Sequence, residues 1–261
     1  MLIGFCYNMC GQLNLKGTYS IAAICKDGVV LSADSRGAFL RADTSIAYFD
    51  SIQKVFVVRN CLLSVVGLIA LGDRFVTDYV TEFEKTLNKD ISPDSCIISF
   101  MTYLSQFPKI KDDLSGLNIL TAGYKNGQPA ICYIVAKTGS GQCAIDSGIA
   151  LQDKKINFGK GTIYDEKYCL NHTCKEVSNV IEKAILDYAK KENKTSSIGG
   201  KVSIVSILKN KKIVWVKNMP IRQRWKTTKE FISDYNSGKV KVTFVSSDAR
   251  GYLKRNLNLT N

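Results

Sequence analysis

Apolar residues along the chain fall into short β-prone runs interrupted by two blocks of helical spacing. Ser20 to Cys25 and Val29 to Ala33 flank Lys26-Asp27-Gly28, a turn signal between two strands, so the segment predicts a hairpin. After a less regular stretch, Arg36 to Ser51, the runs Lys54 to Val58 and Cys61 to Val66 meet at Arg59-Asn60 and predict a second hairpin. The period then changes. Leu71, Phe75, Tyr79, Val80, Phe83 and Leu87 recur at three- and four-residue intervals, which predicts an amphipathic helix. Ser92 and Pro93 open a second helix to Phe107, expected to lie antiparallel to the first. Strand runs return at Leu117 to Ala122 and Ala130 to Val135, followed by a bend at Gly139-Ser140-Gly141. A helical face follows from Val177 to Tyr188, and the last strands are Val202 to Leu208 and Lys212 to Val216.

Runs of strands therefore alternate with runs of helices, which argues against a doubly wound parallel sheet. Two antiparallel sheets face to face, each covered outside by a helix pair, would bury every apolar face. The expected class is α+β, a four-layer α/β/β/α sandwich. There is no fixed-period repeat and no low-complexity linker, so one domain is expected.

Composition narrows the partners more than the fold. With 45% hydrophobic and 23% charged residues among 261, the chain is globular rather than disordered or coiled coil. No apolar run approaches the roughly 18 to 20 residues that cross a bilayer. The first residues do not resemble a secretory signal, and a cytoplasmic location with no membrane partner is expected. Nine scattered cysteines read as buried free thiols. Cys169, His172 and Cys174 have a spacing that offers three metal ligands but lack a paired second motif, so neither metal nor cofactor is expected. The net charge of +13 is concentrated from Lys201 onward, where 14 basic residues face 3 acidic ones. Without a nucleic-acid module this reads as a solvated face or a protein-docking surface, and nucleic acid is disfavoured.

Several stretches, in order, resemble the β-type subunits of proteasomes and their bacterial relatives among the N-terminal nucleophile hydrolases. Gly17-Thr18 precedes the first strand. Lys26-Asp27-Gly28-Val29-Val30-Leu31-Ser32-Ala33-Asp34-Ser35-Arg36 is close to the family's "DGV" and "AADSR" signature. Gln53-Lys54-Val55-Phe56 is similar to the lysine-bearing strand, Leu120 to Tyr124 to the "AGY" strand, and Gly199-Gly200 precedes a strand as in the family.

The resemblance implies that residues 1–17 are a propeptide, 18–217 the hydrolase domain, and 218–261 a basic C-terminal extension. It makes Thr18 the nucleophile, freed by cleavage after Gly17. A hydroxyl needs a base within reach, and the free α-amine, with a reference pKa of about 8, can serve. Asp34 would fix Lys54, whose charge supports the nucleophile, and the backbone N–H of Gly67 would help hold the oxyanion. Three positions depart from the family pattern. Its supporting Asp and Ser fall near Thr195 and Ile198, a further Ser near Lys160, and the Asp34 to Lys54 interval is longer than usual.

The implied function is a self-processed threonine endopeptidase acting in a ring with similar subunits on unfolded polypeptide, fed by an ATP-dependent unfoldase or a cap. A non-catalytic ring subunit with unprocessed Thr18 is the alternative, and a hydrolase of small amides a more distant one. His172 is the only histidine and lies outside the register, where it reads as a helix-end residue.

Overall fold

Both faces of the central strands are buried, which explains why their sequences are almost continuously apolar. In the computed structural model, which describes residues 15–41, 44–135, 150–151, 156–158, 166–191, 197–218 and 225–257, the chain opens with β1 (Leu15–Lys16), β2 (Ser20–Cys25) and β3 (Gly28–Asp34). Alternate residues of β2 and β3 point in opposite directions. Ala22, Ile24, Leu31 and Ala33 face a second sheet, while Ile21, Ala23, Cys25 and Val30 face helices. The predicted hairpin is present, with Cys25 opposite Gly28 and Ser20 opposite Ala33.

Arg36 to Ser51, expected to be irregular, is a third hairpin of β4 (Arg36–Arg41) and β5 (Thr44–Asp50). A register shift between Phe39 and Leu40 breaks its alternation, and so hides the strand pattern. Next come β6 (Val55–Val58) and β7 (Cys61–Gly67), joined by the two-residue turn Arg59-Asn60 with Arg59 at φ +55°. Leu71 and Phe75, expected in a helix, lie instead in the small hairpin of β8 (Ala70–Leu71) and β9 (Arg74–Phe75).

Helix α1 (Val76–Thr86) and α2 (Pro93–Ser105) follow. Phe83 meets Phe100, and Tyr79 meets Phe107 beyond the end of α2, so the pair runs antiparallel. Ser92 occupies the N-cap position of α2, but its hydroxyl donates to the Asp94 carboxylate and does not cap the helix.

Strands β10 (Leu117–Lys125) and β11 (Gln128–Val135) turn at Asn126-Gly127, both at positive φ. Then come β12 (Ala150–Leu151), β13 (Ile156–Phe158), α3 (Glu166–Asn171) and α4 (Cys174–Lys191), and finally β14 (Val202–Leu208) and β15 (Ile213–Lys217). The bend at 139–141 lies outside the described residues.

One five-stranded sheet has the order β13-β2-β3-β14-β15 and the other β12-β11-β10-β7-β6. Leu62, Leu120, Ile131 and Val205 join the inner residues of β2 and β3 between them. Helices α1 and α2 pack on the second sheet, α3 and α4 on the first. The architecture is the expected four-layer α/β/β/α sandwich.

A third sheet, β1-β4-β5-β16, lies beside this sandwich, and the basic C-terminal residues complete it. Helix α5 (Thr228–Asn236) starts with a reciprocal cap between Thr227 and Glu230, β16 (Thr243–Phe244) pairs with β5, and α6 (Ser247–Leu257) ends the described chain. Trp225, Phe231 and Leu253 share one buried cluster with Leu15, Phe39, Phe49, Ile69 and Phe75. No helix among the described residues is long and apolar enough to cross a membrane.

Phe231 touches the rings of Phe39, Phe49, Phe75 and Trp225. Phe231→Ala is expected to lower unfolding free energy by about 3–5 kcal/mol in urea titrations. Ile98→Ala, at a position 49% exposed, should change it by less than about 0.5 kcal/mol.

Candidate functional site

The β2–β3 register brings the two ends of the hairpin together. With Ser20 opposite Ala33, Asp34 falls beside Tyr19, and the Tyr19 amide donates to Asp34 Oδ1 at 2.8 Å. The other oxygen, Oδ2, accepts the amides of Gly199 at 3.0 Å and Arg36 at 3.2 Å. A carboxylate with 1% exposure is thus held by backbone from three segments.

Lys54 stands immediately before β6, and its Nζ donates to Asp34 Oδ1 at 3.0 Å with both side chains at 1% exposure or less. Burial lowers the Lys54 pKa by stripping water from the ammonium, and the Asp34 charge opposes that shift. A second Lys54 bond reaches the carbonyl oxygen of Gly17 at 2.5 Å. The same oxygen accepts the Thr18 hydroxyl at 2.6 Å. A cation and a hydroxyl therefore converge on the carbonyl of the Gly17–Thr18 peptide bond. Such an arrangement can polarise that carbonyl.

Gly17 meets two demands at once. Its φ is +117°, and a Cβ there would come within 2.3 Å of the Ser197 carbonyl oxygen. Any side chain would push the 197–200 segment away from the Thr18 bond. Gly67, at the end of β7 opposite Leu117, has φ +101° and packs against the Gly116 carbonyl. It lies outside the bonded group of Gly17, Thr18, Asp34 and Lys54. Two residues later, the Ile69 amide donates to the Leu15 carbonyl at 3.0 Å, so the segment after Gly67 flanks the residues that precede Thr18.

An outer layer had no sequence signal beyond the "DSR" run. Arg36 makes a two-point ion pair with Asp50, at 2.7 and 3.1 Å, and its guanidinium lies 3.7 Å from the centre of the Tyr48 ring. Burial works against the Arg36 charge, but the bond to Asp50 and the nearby charges of Asp50, Tyr48 and Asp34 together outweigh it and raise the pKa. The guanidinium packs on Gly199, and Gly200 packs on Ser35 and Asp50. Ser35 donates its amide to the Gly199 carbonyl and accepts the Lys201 amide. The glycine pair is thereby fastened to the end of β3. Asp50 sits in the stretch whose strand pattern was hidden, which is why its role was not legible.

Of the three divergent positions, Ile198 is buried in the apolar cluster with Tyr19, and Thr195 and Lys160 lie outside the described residues. His172 is at the α3–α4 junction, where its carbonyl accepts the Lys26 amide. It is separated from Thr18 by the length of β2, roughly 20 Å for six residues, so the pair cannot form a triad. Cys169 and Cys174 pack with Cys25 as free thiols, and neighbouring Cys174 together with burial pushes the Cys25 thiol up. Among the described residues, no group of three or more His, Cys, Asp or Glu side chains is disposed to hold a metal.

A sandwich of this kind, with a glycine-threonine bond set against a buried Lys-Asp pair at the start of its first long strand, is the N-terminal nucleophile hydrolase fold. The chain belongs to the proteasome subunit family, whose profile matches residues 15–205. Among solved structures it is similar to the Gly-1 mutant of Anbu from Hyphomicrobium sp. strain MC1. That match has a TM-score of 0.53 and 16% identity, and covers 85% of this chain and 94% of that one. No curated protein matches the sequence.

Removing the Asp34 carboxylate would leave Lys54 buried without its counter-charge and three amides without an acceptor. Asp34→Ala should cost about 3–5 kcal/mol in chemical denaturation. Asp50→Ala breaks a more exposed pair and should cost about 1 kcal/mol or less.

Proposed function

We propose that the chain is a threonine-type endopeptidase, self-processed between Gly17 and Thr18, that works as a β-like subunit of a ring-shaped proteasome-like protease. The observation that carries this reading is the convergence of Lys54 Nζ and Thr18 Oγ1 on the Gly17 carbonyl oxygen.

On this reading, self-processing starts from that geometry. Thr18 Oγ attacks the Gly17 carbonyl carbon, and the oxygen develops negative charge beside the Lys54 ammonium. The carbon–nitrogen bond then breaks, and the Thr18 nitrogen, with the hydroxyl proton, becomes a free amine. Water hydrolyses the resulting ester to a Gly17 carboxylate and a regenerated Thr18 hydroxyl. In later turnovers that amine takes the proton as Thr18 Oγ attacks the substrate carbonyl. Lys54, fixed by Asp34, holds the amine neutral by charge repulsion. The Gly67 N–H is the expected backbone donor to the tetrahedral oxyanion.

In the ring the partners are similar subunits, the substrate is an unfolded polypeptide, and an ATP-dependent unfoldase or a cap would feed it, in the cytoplasm. Residues 1–17 act as propeptide and 218–261 as a basic extension. Ile198, which offers no hydroxyl near the site, favours a second reading in which the chain is a structural ring subunit with uncut Thr18.

Intact mass and N-terminal sequencing of the assembled protein distinguish the two. A chain beginning at Thr18 supports the protease, and one beginning at Met1 inside an assembled ring supports the structural subunit. Thr18→Ala should abolish both leader removal and peptide hydrolysis, and hydrolysis that persists in it would exclude this mechanism.

The pH profile has a predictable sign. Hydrolysis should rise as the free amine loses its proton, below the reference value of about 8, because the neighbouring Lys54 charge disfavours the protonated amine. It should fall again on the alkaline side as Lys54 loses the charge that the mechanism needs. Because the Lys54 pKa is lowered, that limb should come below the ordinary lysine value of 10.5. The check is kcat/KM against pH on the mature enzyme.

A further inference from the structure

We propose that Asp50 is a positioning residue for the hydrolysis, whose carboxylate offsets the Arg36 charge so that Arg36 can clamp the glycine pair beside the site without driving the proton off Lys54. This rests on the hydrolase reading above.

Four charges alternate in sign from the interior to the surface. Lys54 bonds to Asp34 with both side chains at 1% exposure or less. Arg36 comes next, its amide on Asp34 Oδ2 at 3.2 Å. Asp50 closes the row by accepting two bonds from the Arg36 guanidinium, at 2.7 and 3.1 Å. The strands fix this order. Arg36 opens β4 and stands opposite Asp50, the last residue of β5. The amides of Ser51 and Ile52 then donate to the Ser35 carbonyl at 3.1 and 2.9 Å, which ties the chain to the end of β3 and brings Lys54 to Asp34.

Arg36 has a geometric task. Its Cζ lies 2.5 Å from where a Cβ on Gly199 would fall, so the guanidinium forms a wall of the loop whose amide donates to Asp34 and whose Ser197 carbonyl faces Gly17. The same guanidinium brings a second cation toward Lys54, beside the one buried carboxylate among the described residues. Burial is the largest influence on the Lys54 proton and works against it, and Asp34 works for it. Beyond these, Asp50 favours the charged lysine and Arg36 disfavours it. The two halves of the outer pair thus act on Lys54 with opposite sign. The other surroundings add no fixed charge, since β7 and residues 197–200 contain no Asp, Glu, Lys, Arg or His. Tyr48 lies against Arg36, and the Thr18 amine exists only after the cut.

A pair that only held the loop in shape would be broken equally by losing either half. A pair that sets charge would respond in opposite directions. The test measures kcat/KM against pH for mature enzyme beginning at Thr18, on the peptidyl aminocoumarin that it cuts fastest from a panel. Because the outer pair is partly exposed, with Arg36 at 15% and Asp50 at 38%, its variants are expected to fold. In Asp50→Asn the alkaline limb should move to lower pH, by roughly half a pH unit, and in Arg36→Gln to higher pH by a similar amount. The double variant should return the limb close to its original place. Limbs that stay put, or move the same way in both single variants, would overturn the offset and leave the hydrolase reading standing.

If no peptide is cut and the chain still begins at Met1, the hydrolase reading falls and Asp50 has no hydrolysis to serve. The offset itself is then judged in the uncut Thr18→Ala chain, by titrating Lys54 through the NMR signal of its ε-carbon. Asp50→Asn should lower the titration midpoint and Arg36→Gln should raise it. Midpoints unchanged by both would overturn the offset independently of catalysis.

Discussion

Everything near the candidate site depends on one buried carboxylate. Asp34 ends β3, and its two oxygens collect the amides of Tyr19, Arg36 and Gly199 and the ammonium of Lys54. Four donors are what make a buried charge tolerable, because each replaces a hydrogen bond that water would otherwise provide. Those donors belong to the start of β2, the start of β4, the segment before β6 and the loop before β14. One side chain therefore fixes the mutual position of four segments that are far apart in sequence, and Thr18 lies where they meet.

The third sheet extends that constraint outward. Arg36, next to the Asp34 cradle, also begins β4, and its ion pair with Asp50 closes the far end of β5. The same two strands carry β1 on one edge and β16 on the other. Leu15 of β1 and the C-terminal residues consequently share a cluster although more than two hundred positions separate them in sequence. A change in how α5 packs would reach β1 through Phe231 and Phe39, a route only two side chains long.

Legibility followed the regularity of the pattern. The hairpin of β2 and β3 was readable because strands buried on both faces are apolar without a break, and α4 because its buried positions repeat at helical spacing over 18 residues. The Thr18, Asp34 and Lys54 set was singled out through its resemblance to a family, and in the structure Lys54 bonds to Asp34 while Lys54 and the Thr18 hydroxyl both bond to the Gly17 carbonyl. The hairpin of β4 and β5 was not readable, because the shift at Phe39 puts successive apolar residues out of phase. Asp50 was hidden with it. The packing of residues 225–257 was also obscured, since a high lysine and arginine count reads as solvated surface. Their buried aromatics are few, and they act through a sheet formed mainly by another part of the chain.

Lys54 has three donors, and the two bonds described for it go to Asp34 and the Gly17 carbonyl. On the hydrolase reading, the bond to Gly17 is the one that changes between states. Before cleavage the ammonium lies on the carbonyl of the bond to be cut. Once the leader ends in a free carboxylate and departs, that carbonyl is gone, and the donor is left beside the new amine and the Thr18 hydroxyl. Asp34 keeps the ammonium in place throughout, because its three backbone bonds do not involve the leader. The same lysine can then serve self-processing and turnover without the surrounding strands having to move. The amine that serves as base exists only after the cut, so on this reading an uncut chain is inactive for as long as its leader remains attached.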